Sequence, residues 1–221
     1  MIRSTLAALL CLSATAAFAQ APDLMTVMQS YTVALGVTCD YCHTAPRGSG
    51  LKEPHKDIAR AMQVLTREAN AKVLAATGKE EQLTTRIECF TCHRGVPIPK
   101  QLVTILNETV VREGVQPALA QYKDLRERFY GRASYDFGED TLINVARRIV
   151  EVRPADSIII LNAHLEQFPK SAKGYEALAY AYTRRSQDAE AIVNLEKALE
   201  LDPTNVTARG RLEQLKSYRR R

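Results

Sequence analysis

The sequence predicts an all-α protein in two parts. Three observations predict it. Apolar residues in several segments recur at i, i+3 and i+4. Glycines and prolines stand where such segments begin and end. Two prolines, Pro169 and Pro203, lie 34 residues apart and bracket one helical pattern. The 221 residues allow one large domain or two small ones. A composition of 46% hydrophobic and 25% charged residues, with 10 glycines and 9 prolines, excludes collagen-like, mucin-like and wholly disordered classes. Trp is absent and aromatic residues are only 6%, so the core must be built from Leu, Ile, Val and Ala. A small chain so poor in aromatics is a reason to expect a cofactor that fills the interior. The net charge of +5 is too mild and too dispersed to argue for nucleic acid.

Residues 1–19 read as an export signal peptide. Arg3 supplies the positive start, residues 6–17 an Ala/Leu-rich apolar run, and Ala17-Phe18-Ala19 a small-x-small cleavage site. The run is too short to span a bilayer. Its removal takes one of the 30 basic side chains and none of the 25 acidic ones, leaving a net +4. It also takes Cys11, so four cysteines remain.

The first part, residues 20–115, holds those four cysteines, three of the four histidines, and Met25, Met28 and Met62. Pro22-Asp23 opens a helix over 24–35, with Leu24, Met28, Tyr31 and Leu35 on helical spacing and Gly36 as its stop. A loop with Pro46, Gly48 and Gly50 follows. Pro54 suits the first turn of a second helix. Its face carries Ile58, Met62, Leu65, Ala69 and Val73, and Gly78 ends it. Residues 79–88 are polar, with a short extended piece expected at 83–87. Gly95, Pro97 and Pro99 make a rigid exit.

The second part, residues 116–221, has neither Cys nor Met. Amphipathic helices are expected over 117–130 and 139–152. Residues 171–203 fit a tetratricopeptide-like unit through Tyr175, Leu178, Tyr182, Ala191, Leu195, Ala198 and Pro203; a weaker copy ends at Pro169. Stable stacks of such repeats usually need three. A short array must therefore pack on extra helices, on the first part, or on a second copy of the chain. Tyr218 and Arg219 to Arg221 form a basic tail suited to a helix C-terminus.

The chemistry lies in two motifs, Cys39-Asp40-Tyr41-Cys42-His43 and Cys89-Phe90-Thr91-Cys92-His93. Cys-x-x-Cys-His is the c-type haem attachment signature. Two thiols three residues apart can each form a thioether to one porphyrin, and the adjacent His ligates the iron. A redox Cys-x-x-Cys needs no following His. A zinc site could use four cysteines, but 46 residues separate Cys42 from Cys89 and a His follows each pair. Covalent haem attached at Cys39 and Cys42, and again at Cys89 and Cys92, with His43 and His93 as iron ligands, is therefore the expectation. For the sixth ligand, a Met thioether raises the potential and a second His lowers it. Met25, Met28 and Met62 are the thioethers on offer, and a Met on an apolar helical face is also ordinary core. His55, beside Pro54, is a further nitrogen donor; His164 lies far from either motif.

Leu24, Met25 and Met28 ahead of Cys39 to His43 resemble the cytochrome subunit family of photosynthetic reaction centres. So does Lys56-Asp57-Ile58-Ala59-Arg60-Ala61-Met62 ahead of Cys89 to Gly95. The resemblance covers residues 24–100. It implies a haem-packed helical c-type cytochrome module in which a helix carries the distal Met ahead of each attachment motif. By position it assigns Met28 to the first iron, with Met25 one turn away as rival, and Met62 to the second.

The chain is therefore expected to be an exported, periplasmic di-haem electron carrier and not an enzyme. The helical repeats would dock a protein partner, the redox partners could include a membrane-bound electron-transfer complex, and the chain could form a homo-oligomer. The alternatives are a di-haem peroxidase and a haem-containing sensor or assembly scaffold. Four propionates would roughly cancel the mature +4 charge.

Overall fold

The computed structural model describes residues 23–46, 49–80 and 83–219. The expected export segment 1–19 and the last two residues of the basic tail lie outside them. Among the described residues the fold is all-α, with ten α-helices, a 3-10 turn and no strand.

Helix α1, Leu24–Leu35, starts where Asp23 accepts hydrogen bonds from the backbone N–H groups of Met25 and Thr26 at 2.9 and 3.1 Å. It stops at Gly36, at φ 64°. That glycine is needed twice over. Its conformation is left-handed, and a Cβ there would overlap the Gly95 carbonyl. A 3-10 turn spans Cys39–Tyr41. Helix α2, Pro54–Thr77, opens on its proline and closes on Gly78 at φ 60°. Helix α3, Cys89–His93, is one turn long. Its capping box has the Glu88 N–H donating to Thr91 Oγ1 at 3.0 Å. Asn70 of α2 clamps the segment ahead of it, accepting from Ile87 N–H at 2.7 Å and donating to Ile87 O at 2.8 Å.

The remaining helices are α4 (Leu102–Arg112), α5 (Val115–Phe129), α6 (Asp140–Ile149), α7 (Pro154–Gln167), α8 (Ala172–Thr183), α9 (Asp188–Leu201) and α10 (Val206–Arg219). Short connections join α4 to α5, α6 to α7 and α8 to α9. Each pair packs together, and α4 also contacts α6, α5 contacts α7, and α6 contacts α8. The pairs thus stack, with α10 closing the end on α9. Leu106, Val110, Leu142, Ile143, Ile160 and Leu161 lie in the main core; Ala191, Leu195, Ala198 and Ala208 belong to a smaller cluster at the α9–α10 end.

The compositional boundary near residue 115 falls between α4 and α5, two helices of one core. The contrast in burial lies earlier. Among the described residues of 23–100, Ala34 and Val96 are the only buried hydrophobics. Ile58 (59%), Leu65 (54%), Val33, Phe90 and Ile98 are exposed. No helix is long and apolar enough to cross a membrane among the described residues.

Candidate functional site

One turn of α3 presents Cys89 and Cys92 with His93 directly behind them. Both thiols are free. Burial raises the Cys89 thiol above its ordinary pKa. His93 Nδ1 lies 3.1 Å from the Val96 carbonyl. A carbonyl can only accept, so Nδ1 carries the proton and Nε2 keeps its lone pair for a metal. Helix α1 packs against α3, and Gly95 N–H donates to Ala34 O at 2.9 Å.

The first motif is a tighter turn. Cys42 and His43 each donate a backbone N–H to Cys39 O, at 3.2 and 3.0 Å. Cys39 and Cys42 are also free, and burial raises the Cys42 thiol. His43 is exposed, its Nδ1 3.9 Å from Glu53, too far for a hydrogen bond. A hydrogen bond from Lys56 at 2.8 Å holds the Glu53 carboxyl below its ordinary range. His55 lies flat on Tyr41, rings parallel within 1° and centroids 4.1 Å apart. Its Nδ1 donates to the Tyr41 carbonyl at 2.8 Å.

The two motifs meet at a cavity of about 220 Å³. Cys42 lines it from the first motif, Cys89 and His93 from the second, and His55, Ile58 and Met62 from α2. His55 and Met62 stand two helical turns apart on one face, about 10 Å along the axis. The cavity therefore gathers Met62 with His93, the pair expected at the second iron. Met28 is half-buried on α1 and Met25 is 64% exposed; neither lines this cavity. Among the described residues no three His, Cys, Asp or Glu side chains gather closely enough to hold a metal ion between them.

Sequence reasoning missed the Val96 carbonyl, Tyr41 and Tyr31, which also lines the cavity. The carbonyl carries no sequence signal, and Tyr41 sits at a free position of its motif.

The donor set fits covalently held haem. Each site offers two free thiols and an imidazole beside them, and His93 keeps its Nε2 available. Among the described residues, aliphatic side chains such as Ile58 and Leu65 stand exposed beside these donors.

A family model described as "Photosynthetic reaction centre cytochrome C subunit" matches residues 14–136. A photosynthetic reaction center cytochrome c subunit from Rubrivivax gelatinosus is 36% identical over 67 residues, 29% of this chain and 16% of the relative. Cytochrome c-554 from Chloroflexus aurantiacus is 35% identical over 76 residues, 34% of this chain and 18% of the relative. The matched stretches are thus less than a fifth of either relative's length.

Proposed function

This chain belongs to the photosynthetic reaction centre cytochrome c subunit family, and from that premise we propose that it is an exported, periplasmic di-haem c-type cytochrome. It relays electrons between redox partners and docks through its helical second part. Cys39 and Cys42 hold one haem, and Cys89 and Cys92 the other. His43 and His93 are the proximal ligands. Met62 is the distal ligand of the second iron and Met28 that of the first. Burial favours Met28 over Met25, which stands in solvent.

The observation that carries the reading is the absent core of residues 23–100 beside two attachment motifs. The described residues of 23–100, with two buried hydrophobic side chains, do not remove enough apolar surface from water to hold a fold. Two covalently bound porphyrins would supply the missing interior. Bound haem supplies reversible one-electron oxidation and reduction of iron. The chain's residues do the rest. The thiols anchor, and the Val96 carbonyl fixes the tautomer and rotation of His93. Met62 offers a soft thioether that favours the reduced state. Ile58 and Leu65, exposed in the chain alone, would exclude water from the α2 face once a porphyrin lay against them. Because Cys42 and Cys89 share one cavity, the two sites adjoin, which suits stepwise transfer. Distal thioethers at both sites argue against a peroxidase, which needs an open iron position.

The helical domain is proposed to begin near residue 101, since α4 packs into its core. Its stacked pairs, read as tetratricopeptide-like repeats, would dock a protein partner, with a membrane complex or a second copy of the chain as candidates.

The test is a pair of variants, Cys39→Ala/Cys42→Ala and Cys89→Ala/Cys92→Ala, matured in a host with haem-attachment machinery. Each should retain one covalent haem and the four-cysteine variant none. Full pigment in the four-cysteine variant would end the proposal.

A further inference from the structure

The three residues after His93 each hold a different part of the molecule. Arg94 is a non-glycine residue at φ 50°. That backbone region is sparsely populated by side-chain-bearing residues, so neighbouring contacts must maintain it. Its carbonyl accepts a hydrogen bond from Ser134 Oγ at 2.6 Å. The Gly95 N–H donates to Ala34 O of α1 at 2.9 Å. The Val96 carbonyl accepts from His93 Nδ1 at 3.1 Å.

Ser134 lies 40 residues from Arg94 in sequence, on the turn between α5 and α6. That turn is anchored. Tyr135 packs edge-on against Phe129 and Phe137, with centroids 5.2 and 6.3 Å away. Phe137 is buried in the main helical core. The same turn lines a cleft of about 440 Å³ whose other wall carries Cys92 and Arg94. One hydrogen bond thus runs from a well-packed core to the peptide adjoining the proposed proximal imidazole.

We propose that Ser134 is a positioning residue for His93, through which the helical domain sets the environment of the second iron and not the first. This rests on the reading of His93 as an iron ligand. The hydroxyl holds the Arg94 peptide, and that peptide sets where the Val96 carbonyl stands. The carbonyl's bond to Nδ1 sets the rotation and basicity of the imidazole. Outer partners of a ligating His tune the metal in this way. Among the described residues His43 shows no equivalent tie: its Nδ1 lies 3.9 Å from Glu53, too far for a hydrogen bond. A partner that displaces the α5–α6 turn would therefore be felt at one haem of the two.

The experiment uses the full-length haem-loaded protein with Ser134→Ala and Ser134→Thr. Spectroelectrochemical titration reads both midpoint potentials, and low-spin ferric EPR reads each axial-ligand geometry. The expected result for Ser134→Ala is a shift of one midpoint and one EPR signal, with the other pair unchanged. Ser134→Thr, which keeps the hydroxyl, should hold wild-type values. The Cys39→Ala/Cys42→Ala background, which retains only the second site, should reproduce the shift. The proposal is overturned if Ser134→Ala moves neither midpoint, if both move equally, or if Ser134→Thr shifts as far as the alanine. Wild-type protein with no covalent haem would overturn the underlying reading as well, so the two failures are distinguishable.

Discussion

His164 is fully buried, with neither ring nitrogen partnered. It stacks on Phe168 at 5.1 Å, and a Cβ at Gly174 would come within 2.7 Å of its ring. Burial lowers its pKa below the ordinary 6.5, outweighing Glu139 and Asp140, which push it up. The unfolded chain therefore takes up a proton near pH 6.5 that the folded chain refuses. Folding stability must fall as pH drops below about 6.5. Thermal melts at pH 7.5 and 5.5 should show the helical domain less stable at the lower pH. His164→Leu should flatten that dependence; an unaltered slope would contradict the assignment. Two other residues carry the ligand proposal. Met28→Ala and Met62→Ala should each abolish the weak red absorption of Met-ligated ferric haem at one site, halving it. An unchanged band in both Met variants would overturn the assignment. The proposed attachment residues stand out in the sequence because Cys-x-x-Cys-His is a motif written locally. The Val96 carbonyl and Ser134 were not, because backbone acceptors and distant hydroxyls have no periodicity.

Among the elements, α1 and α2 were legible to within a residue. Asp23, Gly36, Pro54 and Gly78 each act through local chemistry, as a cap or a φ constraint. Helix α3 was not, since one turn is too short to show a repeat, and its capping box joins Glu88 to Thr91 inside a motif read for its thiols. Helix α4 was missed for a different reason. Composition assigned residues 102–112 to the cysteine-bearing part, yet Leu102, Leu106 and Val110 face a core made with α5 and α6. Its partners lie downstream, so its allegiance is a tertiary fact. Leu106→Ala should cost about 2–5 kcal/mol, lowering the thermal midpoint of the helical domain while both haems remain attached. Gly36→Ala should act on the other side. It forces a side chain into a left-handed site and against the Gly95 carbonyl, so it should loosen α1 from α3. That predicts faster proteolysis within residues 24–36 and an unchanged α4–α10 melt; equal protection in wild type and variant would contradict it.

At the scale of the whole molecule, the two parts are stabilised differently. From α4 onward the chain buries Leu, Ile, Val and Ala against one another in the ordinary way. Among the described residues ahead of it, helices are capped and connected but enclose almost nothing. The low aromatic content hinted at this, because a core without large side chains invites a filler. Which segments would lack their own core was not readable, since the apolar stripe on α2 looks the same whether it meets a helix or a porphyrin. The central claim is that two covalently attached haems complete residues 23–100. It is tested most directly by the intact mass of purified full-length protein under denaturing conditions, matured in a host that attaches haem. The account predicts the mass of the chain plus two haems, with the pigment resisting extraction by acidified organic solvent. A colourless chain at its bare polypeptide mass, or pigment lost to the solvent, would contradict it.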